Sequence, residues 1–428
     1  MSELPVVVIG AGPQGLAAAA HLSERNAGVV VLEAGSGPAA AVRDWAHVRL
    51  FSDWPELIDA AASRLLAATG WTPPTAGYPT GQQWIDRYLS PLAGALGDRV
   101  RYDTTVVGVS RRGRDRLVSA GRAEQPFTVH VVADSVESRL DARAVIDASG
   151  TWKQPNPAGA DGYPALGEGA VAAAGMVTYR PPTAEQVRGL ADGHVVVVGS
   201  GHSAMTAVID LAEVARTRPG TRVTWVLRRG GVGDTFGGGS ADELPQRGAL
   251  GLRSQQAVND GTVALVTGFR VERIYQQGLQ VTVVSEDGQV LPPADRVVVL
   301  AGFRPDLGFL SEMRLELDPV LQAPVRLAPE IDPNLHSCGS VSPHGAAELA
   351  HPEPGLYLVG MKSYGRAPTF LAMTGYEQVR SIAAELIGDH EGAARVELTL
   401  PDTGVCGGAG LFDQTDQASA GCCSPMTA

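Results

Sequence analysis

The sequence predicts an α/β protein built on two parallel-sheet units. Three observations predict it: a strand, glycine loop and helix at residue 6, a second such run about 190 residues later, and apolar strands interleaved with helical stretches. The first run is Val6-Val7-Val8-Ile9, then Gly10-Ala11-Gly12-Pro13-Gln14-Gly15, then the helix-forming Leu16-Ala17-Ala18-Ala19-Ala20-His21-Leu22. A G-x-G-x-x-G loop needs glycine for the tight turn, for approach of backbone N–H groups to a pyrophosphate, and for close helix–strand packing. The helix N-terminus then faces the phosphates with its positive dipole end. A second strand, Val29-Val30-Val31-Leu32, ends in Glu33, eighteen residues after Gly15, where an acid accepts from both ribose hydroxyls. Strand, loop, helix, strand and acid in this order read as a Rossmann-like dinucleotide site.

Length and composition bound the rest. At 428 residues the chain exceeds the size at which one core keeps growing, so two domains are expected. Hydrophobic residues at 44% and charged residues at 19% suit a globular enzyme. The balance of 46 acids against 34 bases, −12 in all, argues against a polyanionic partner and leaves no basic patch for nucleic acid. No run of 18 apolar residues appears, and the chain enters a strand within five residues of Met1. A cytoplasmic protein without a membrane partner is therefore expected. Four cysteines are too few for a disulfide scaffold, and Cys406, Cys422 and Cys423 crowd into the last 23 residues, which favours reactivity over stapling.

After Glu33, Gly35-Ser36-Gly37-Pro38 reads as a loop. Trp45-Ala46-His47-Val48-Arg49-Leu50-Phe51-Ser52-Asp53-Trp54 then reads equally as a packed surface turn or as a wall beside a cofactor ring. Ile58 to Ala68 reads as a helix. Thr80 is the expected N-cap of another through Leu96, which tolerates Pro91 only with a kink or break. Arg101 to Val109, Phe127 to Ala133 and Ala144 to Ile146 read as strands, with 111–125 as a polar hairpin-like excursion. Thr151 to Pro164, with three prolines and two glycines, reads as a domain connection.

Beyond that connection the opening pattern repeats. His194-Val195-Val196-Val197-Val198 leads into Gly199-Ser200-Gly201-His202-Ser203-Ala204 and a helix through Val214. Alanine suits the third small position because a methyl still permits close packing. The next strand, Arg222 to Leu227, ends in Arg228-Arg229 where the first ends in an acid. Arginines pair bidentately with a 2′-phosphate that an acid would repel, so this site is expected to prefer NADP(H); a solvated charge pair is the plain alternative. Strands follow from Thr262 to Val284. An edge-like strand, Asp295 to Pro305, echoes Asp147-Ala148-Ser149-Gly150; then come a strand at Leu356 to Met361 and a helix from Thr369 through Leu386. The tail after Leu400, rich in Gly, Ser, Thr and Asp, is expected to be flexible.

With both fingerprints in hand, the chain resembles the two-dinucleotide-binding-domain flavoproteins, which include flavin-containing monooxygenases and thioredoxin-reductase-like enzymes. The resemblance implies an FAD-binding domain interrupted by an inserted NADP-binding domain. The expected divisions are 1–154 and 326–399 for the FAD domain, 155–325 for the NADP domain, and 400–428 for a cysteine-containing tail. It assigns FAD to Gly10, Gly12, Pro13, Gln14, Gly15, Glu33, Ala34 and Val106, and NADPH to Gly199, Ser200, Gly201, His202, Ser203, Arg228 and Arg229. Ala148-Ser149-Gly150 and Leu300-Ala301-Gly302 look like the family's Ala-Thr-Gly turns, and Trp45, Arg49, Leu50 and Ser52 look like its flavin-side run. Gly360, Met361, Thr369 and Phe370 look like the return segment that supports the flavin.

A narrower likeness is to the monooxygenase-like flavoprotein of arsenic-resistance operons. It rests on Gly199 to Ala204, Ile331 to Gly339, Gly360 to Phe370 and the Thr403-Gly404-Val405-Cys406…Cys422-Cys423 tail. The sequence also departs from the monooxygenases. Leu166 to Tyr179 holds no Phe-x-Gly-x-x-x-His, Trp54 to Asp59 holds no asparagine, and Met361 stands where many relatives place an aspartate.

The expected reaction is hydride transfer from NADPH to flavin, followed by reoxidation by a second acceptor. Oxygen with a small soft nucleophile is one such acceptor pair. A thiol or metalloid reduced through Cys406, Cys422 and Cys423 is another, since three soft thiolates suit a trivalent metalloid; incidental tail cysteines are the plain alternative. A non-catalytic, metalloid-binding redox flavoprotein is the third reading. No Cys-x-x-Cys lies between Gly199 and Asp306. His336, Cys338, His344 and His351 match no zinc spacing and read as loop residues. The catalytic acid or base is unassigned, and a homodimer is one option for the assembly.

Overall fold

The computed structural model describes residues 4–242, 244–334, 341–368 and 370–398, and side chains throughout them except those of 233, 234 and 241. Fifteen strands are found among them: β1 Val6–Ile9, β2 Val29–Leu32, β3 Val100–Arg101, β4 Thr104–Arg111, β5 Phe127–Ala133, β6 Val136–Ala142, β7 Ala144–Asp147, β8 Val177–Thr178, β9 His194–Val198, β10 Arg222–Val226, β11 Val263–Val266, β12 Val271–Gln277, β13 Gln280–Ser285, β14 Arg296–Val299 and β15 Leu356–Leu358.

Two five-stranded sheets, both parallel throughout, carry the fold. Their orders are β15-β7-β1-β2-β3 and β11-β10-β9-β14-β8. Parallel strands covered on both faces read as unbroken apolar runs, as Val6–Ile9 does and as the four valines after His194 do. Alternation along each central strand then feeds two different cores. Val6 and Val8 pack with Leu16, Ala17 and Leu22 of the Pro13–Glu24 helix, whereas Val7 and Ile9 pack with Phe127 and Val129 of the antiparallel β4-β5-β6 meander. In the second sheet Val195 and Val197 pack on the His202–Thr217 helix, and Val196 and Val198 on Ile274, Val281 and Val283 of the β12-β13 ribbon.

The chain leaves the first sheet after β7, builds the second, and returns to place β15 beside β7. Residues Leu310 and Met313 already share a core with Val7 and Ile9 before that strand. Outgoing and returning connections run together: the Asn156 N–H donates to Gly302 O (2.9 Å) and the Arg304 N–H to Gln154 O (2.9 Å).

Several elements differ from expectation. β14 is an interior strand between β9 and β8, because the unforeseen two-residue β8 covers its outer side. The helix expected from Thr369 begins at Ala372 and ends at Glu385; Thr369 itself lies outside the described residues. The strand expected to Met361 stops at Leu358, and Gly360–Tyr364 forms a 3₁₀ turn where Gly360 (φ +67°) breaks the extended run. Thr80 caps its helix with a reciprocal capping box through Gln83. A π-helical turn at Ile85–Leu89 then precedes the Ser90–Leu96 segment and absorbs Pro91, which lacks an N–H to donate. β6 and the Pro245–Asn259 helix were unforeseen because neither shows a clear apolar period; Val136 to Arg139 are exposed.

Candidate functional site

The first glycine loop stands at the C-terminal ends of β1 and β7, where the strand order reverses. Gly10 has φ +99°, and a Cβ there would lie 2.9 Å from Ala148 O; a Cβ on Gly15 would lie 1.9 Å from Gly10 O. Both positions exclude a side chain. Gly12 differs, with nothing within 4 Å of an added Cβ, so it is the open side of the cradle. It is also the N-cap of the Pro13–Glu24 helix and supplies no side-chain cap, which leaves first-turn N–H groups for a ligand. Pro13 occupies the first helical position, where no N–H is needed.

Glu33 is nearly buried and is held against this loop. Its Oε2 accepts from the Ala11 N–H (2.7 Å) and its Oε1 from the Gly35 N–H (2.8 Å), leaving a lone pair on each oxygen. Ala34 beside it is exposed. The Thr104 N–H donates to Glu33 O (2.9 Å), which brings the start of β4, and Val106 two residues on, to the same edge. Gln14 reaches the other way. Its Nε2 donates to Ala372 O (3.0 Å), and its buried Oε1 has no partner among the described residues. Gly375 makes room for it, since a Cβ there would meet Gln14 Cδ at 2.4 Å. The first loop and the return segment therefore form one cradle, flanked by the starts of two helices.

Two features of that cradle were not foreseen. Lys362 is fully buried with its Nζ 2.6 Å from Asp147 Oδ2, and it also donates to Ser149 Oγ (3.0 Å). Asp147 Oδ1 in turn accepts from the Ser149 N–H (3.0 Å) and Oγ–H (2.6 Å), so one ion pair joins the Ala148-Ser149-Gly150 turn to the Gly360–Tyr364 turn. Gln378 completes the support: its Oε1 accepts from the Gly360 N–H (2.7 Å), and its Nε2 donates to Ser363 Oγ (2.9 Å) and to His344 Nε2 (2.8 Å). His344 Nδ1–H donates to Ser342 O (3.0 Å), and burial pushes this imidazole below its ordinary value, consistent with a neutral ring. Met361 is half-buried and Phe370 packs edge-on to Tyr364 at 4.9 Å. An acid ending β7 and a lysine beyond β15 were the signals available in the sequence.

The 45–52 segment packs on the Thr80-capped helix. Trp45 lies 6.5 Å from Trp84, Arg49 donates to Tyr78 O, the Leu50 N–H donates to Pro79 O (2.9 Å), and Ser52 is buried. Phe51 of this run meets the second loop, its ring centroid 5.1 Å from that of His202.

In the second loop Gly199 has φ +131°, and a Cβ there would lie 2.2 Å from Leu300 O. The Trp225 indole N–H donates to Gly199 O (2.7 Å) and fixes the turn. Gly201 is the N-cap of the 16-residue His202–Thr217 helix, again without a side-chain cap; Ser200 and Ser203 beside it are half-buried. Burial first, and Arg247 second, push His202 down to about 4, so it is neutral near neutrality. Arg228 is exposed, and its Nη1 donates to Ala160 O (3.3 Å); partial burial of the guanidinium and the adjacent Arg229 both depress it. Gly302, with φ +88°, turns β14 back towards the connection.

These residues fit the two groups that such loops hold. The open face at Gly12, the orphaned Gln14 oxygen and the Glu33 carboxylate suit FAD, and an uncapped helix start with two arginines just beyond the neighbouring strand β10 suits NADP(H). No group of three metal-ligating side chains occurs among the described residues. His344 and His351 have separate partners, the latter accepting from the Glu316 N–H (3.3 Å). His336, Cys338, Cys406, Cys422 and Cys423 lie outside the described residues. Within those residues no helix is long and apolar enough to cross a membrane.

Comparison with known proteins agrees with this geometry. Residues 7–326 match the pyridine nucleotide-disulphide oxidoreductase family. No curated protein sequence matches the chain. Among solved structures, the bacillithiol disulfide reductase of Bacillus cereus is 19% identical with a TM-score of 0.63, covering 89% of this chain and 99% of its own. The flavin monooxygenase of Stenotrophomonas maltophilia is 21% identical with a TM-score of 0.55, covering 90% and 100%. The thioredoxin reductase of T. acidophilum is 15% identical with a TM-score of 0.55, covering 91% and 100%. The chain belongs to the pyridine nucleotide-disulphide oxidoreductase family, and its cofactors are FAD and NADP(H).

Proposed function

We propose that this pyridine nucleotide-disulphide oxidoreductase is a monooxygenase-like enzyme, which takes hydride from NADPH and delivers oxygen to a small soft nucleophile. A trivalent arsenical is the substrate suggested by the resemblance to the arsenic-resistance flavoprotein. The observation that carries this reading is the position of the thiols. No cysteine precedes Cys338, so neither nucleotide-binding unit holds a dithiol to relay electrons, and the acceptor must itself reach the flavin side.

Bound FAD would supply the chemistry of accepting hydride from nicotinamide and passing electrons on. The chain's own residues do the positioning. Gly10, Gly12, Pro13 and Gly15 shape the phosphate cradle, Glu33 receives the ribose, and Gln14 ties the cradle to the return segment. Ala148, Ser149, Gly150, Gly360 and Met361 line the flavin end, with Trp45, Arg49, Leu50 and Ser52 as its wall. Gly199, Ser200, Gly201 and Ser203 take the second pyrophosphate, and Arg228 with Arg229 the 2′-phosphate. The division of the chain at 155 and 325 belongs to the same proposal.

A second reading is favoured by one feature, the adjacent Cys422-Cys423 with Cys406, which suits reduction of a tail-bound metalloid or disulfide. NADPH oxidation across a panel of arsenicals, thiols and amines, with and without oxygen, separates the readings. Oxygen-dependent turnover with an arsenical or other soft nucleophile that survives replacement of the three cysteines by serine supports monooxygenation. Anaerobic turnover abolished by those replacements supports the reductase. If no candidate raises NADPH consumption above background, both fail.

A further inference from the structure

The segment 44–51 touches both units with different side chains. Trp45 and Arg49 turn to the Thr80-capped helix and its approach. Asp44, His47 and Phe51 turn away from it. Asp44 Oδ2 accepts the Trp152 indole N–H (2.7 Å), the His47 ring faces the backbone of Pro182 and Pro181, and Phe51 rests on His202. Trp152 is held in its place by the Arg180 guanidinium 3.9 Å over its ring and by Phe303 at 4.8 Å. Asp44 and His47 are exposed, and Phe51, Trp152, Arg180 and His202 are half-buried. Contacts that water reaches on one side open at smaller cost than the fully buried Lys362–Asp147 pair within the first unit.

His202 is the first residue of the helix whose uncapped start faces the second site. A dinucleotide docked on that helix start would lie beside His202, the residue on which the Phe51 ring packs. We infer that the 44–51 arm is an interdomain latch: Phe51 on His202 holds the second unit to the first, and NADP(H) binding displaces it. The inference rests on reading the second loop as the NADP(H) site. A latch of this kind lowers apparent affinity, because only the released fraction of molecules binds.

The test is titration of the FAD-loaded protein with NADP⁺ by calorimetry, alongside tryptophan emission. Loss of one aromatic contact in Phe51→Ala raises the released fraction, so NADP⁺ binds roughly two- to tenfold tighter. Asp44→Ala, which removes the acceptor of the Trp152 indole N–H, shifts affinity in the same direction. NADP⁺ also changes the emission of the wild-type protein, a change that Trp152→Phe removes and that Phe51→Ala shows in part before any NADP⁺ is added. Should the alanine variant fail to fold, Phe51→Leu keeps the apolar bulk while losing the ring pair, with the same sign expected. Unchanged affinity in both latch variants, or weaker binding with Phe51→Ala, overturns the latch alone. A folded, FAD-loaded wild-type protein that binds no NADP⁺ overturns the site assignment and the latch together.

Discussion

Lys362 and Asp147 are both fully buried, 2.6 Å apart, and replacing the lysine with methionine tests what the pair does. Methionine keeps most of the buried volume, so the loss is electrostatic and not a cavity. Asp147 keeps the Ser149 N–H and Oγ–H as donors at 3.0 and 2.6 Å, yet its charge stands without a cation. Breaking a buried pair from one side costs about 3–5 kcal/mol. For a unit of about 150–250 residues each kcal/mol moves the midpoint by roughly 2–4 °C, so melting of the first unit falls by roughly 6–20 °C. Adding Asp147→Asn removes the stranded charge while keeping an acceptor for Ser149, and the double variant recovers most of the loss. Thermal melts followed by flavin release, together with FAD Kd values, measure both effects. If Lys362→Met alone costs less than about 1 kcal/mol, or the double variant is no better than the single, the reasoning is refuted.

Three further outcomes are expected. Arg228→Ala with Arg229→Ala removes charge-assisted bonds worth about 1.5–3 kcal/mol, so the NADPH Kd rises roughly ten- to hundredfold while NADH binding barely moves; equal losses on both would defeat the 2′-phosphate assignment. Gly199→Ala puts a Cβ 2.2 Å from Leu300 O at φ +131°, and titration calorimetry is expected to show NADP⁺ binding lost while FAD is retained. Burial lowers His351 to about 4, so the unfolded chain binds the extra proton first as pH falls. Its contribution is complete above the unfolded value near 6.5 and is lost down to about 4, about 3 kcal/mol in all. Urea melts of His351→Asn at pH 7.5 and 4.5 are expected to show a correspondingly flatter pH dependence than wild type.

Much of the frame was legible in the chain because glycine loops and parallel strands are local statements. Val6 to Gly15 and His194 to Ala204 each name a strand, a turn whose first glycine tolerates no side chain, and a helix within a dozen residues, and both are built as read. Phe127–Ala133, the middle strand of the antiparallel meander, was legible from its own run of β-favouring residues. β6 was not, since its exposed Val136 to Arg139 carry no apolar period, and β14 was mistaken for an edge because its cover comes from the distant two-residue β8. The helix start at Ala372 was misplaced because Leu371 caps it without a side-chain signal.

The sequence by itself therefore determined the two dinucleotide units, the acid of the first, the arginines after the second, and the absence of a cysteine before residue 338. Each of those depends on residues close together in the chain. Only the tertiary structure decided that Lys362 meets Asp147 across 215 positions, that Gln14 anchors the return helix at Ala372, and that Phe51 lies on His202. Those contacts come from the sheet order and the crossing between units. A buried lysine and an exposed one are written with the same letter, and the fold supplies the carboxylate that makes burial tolerable.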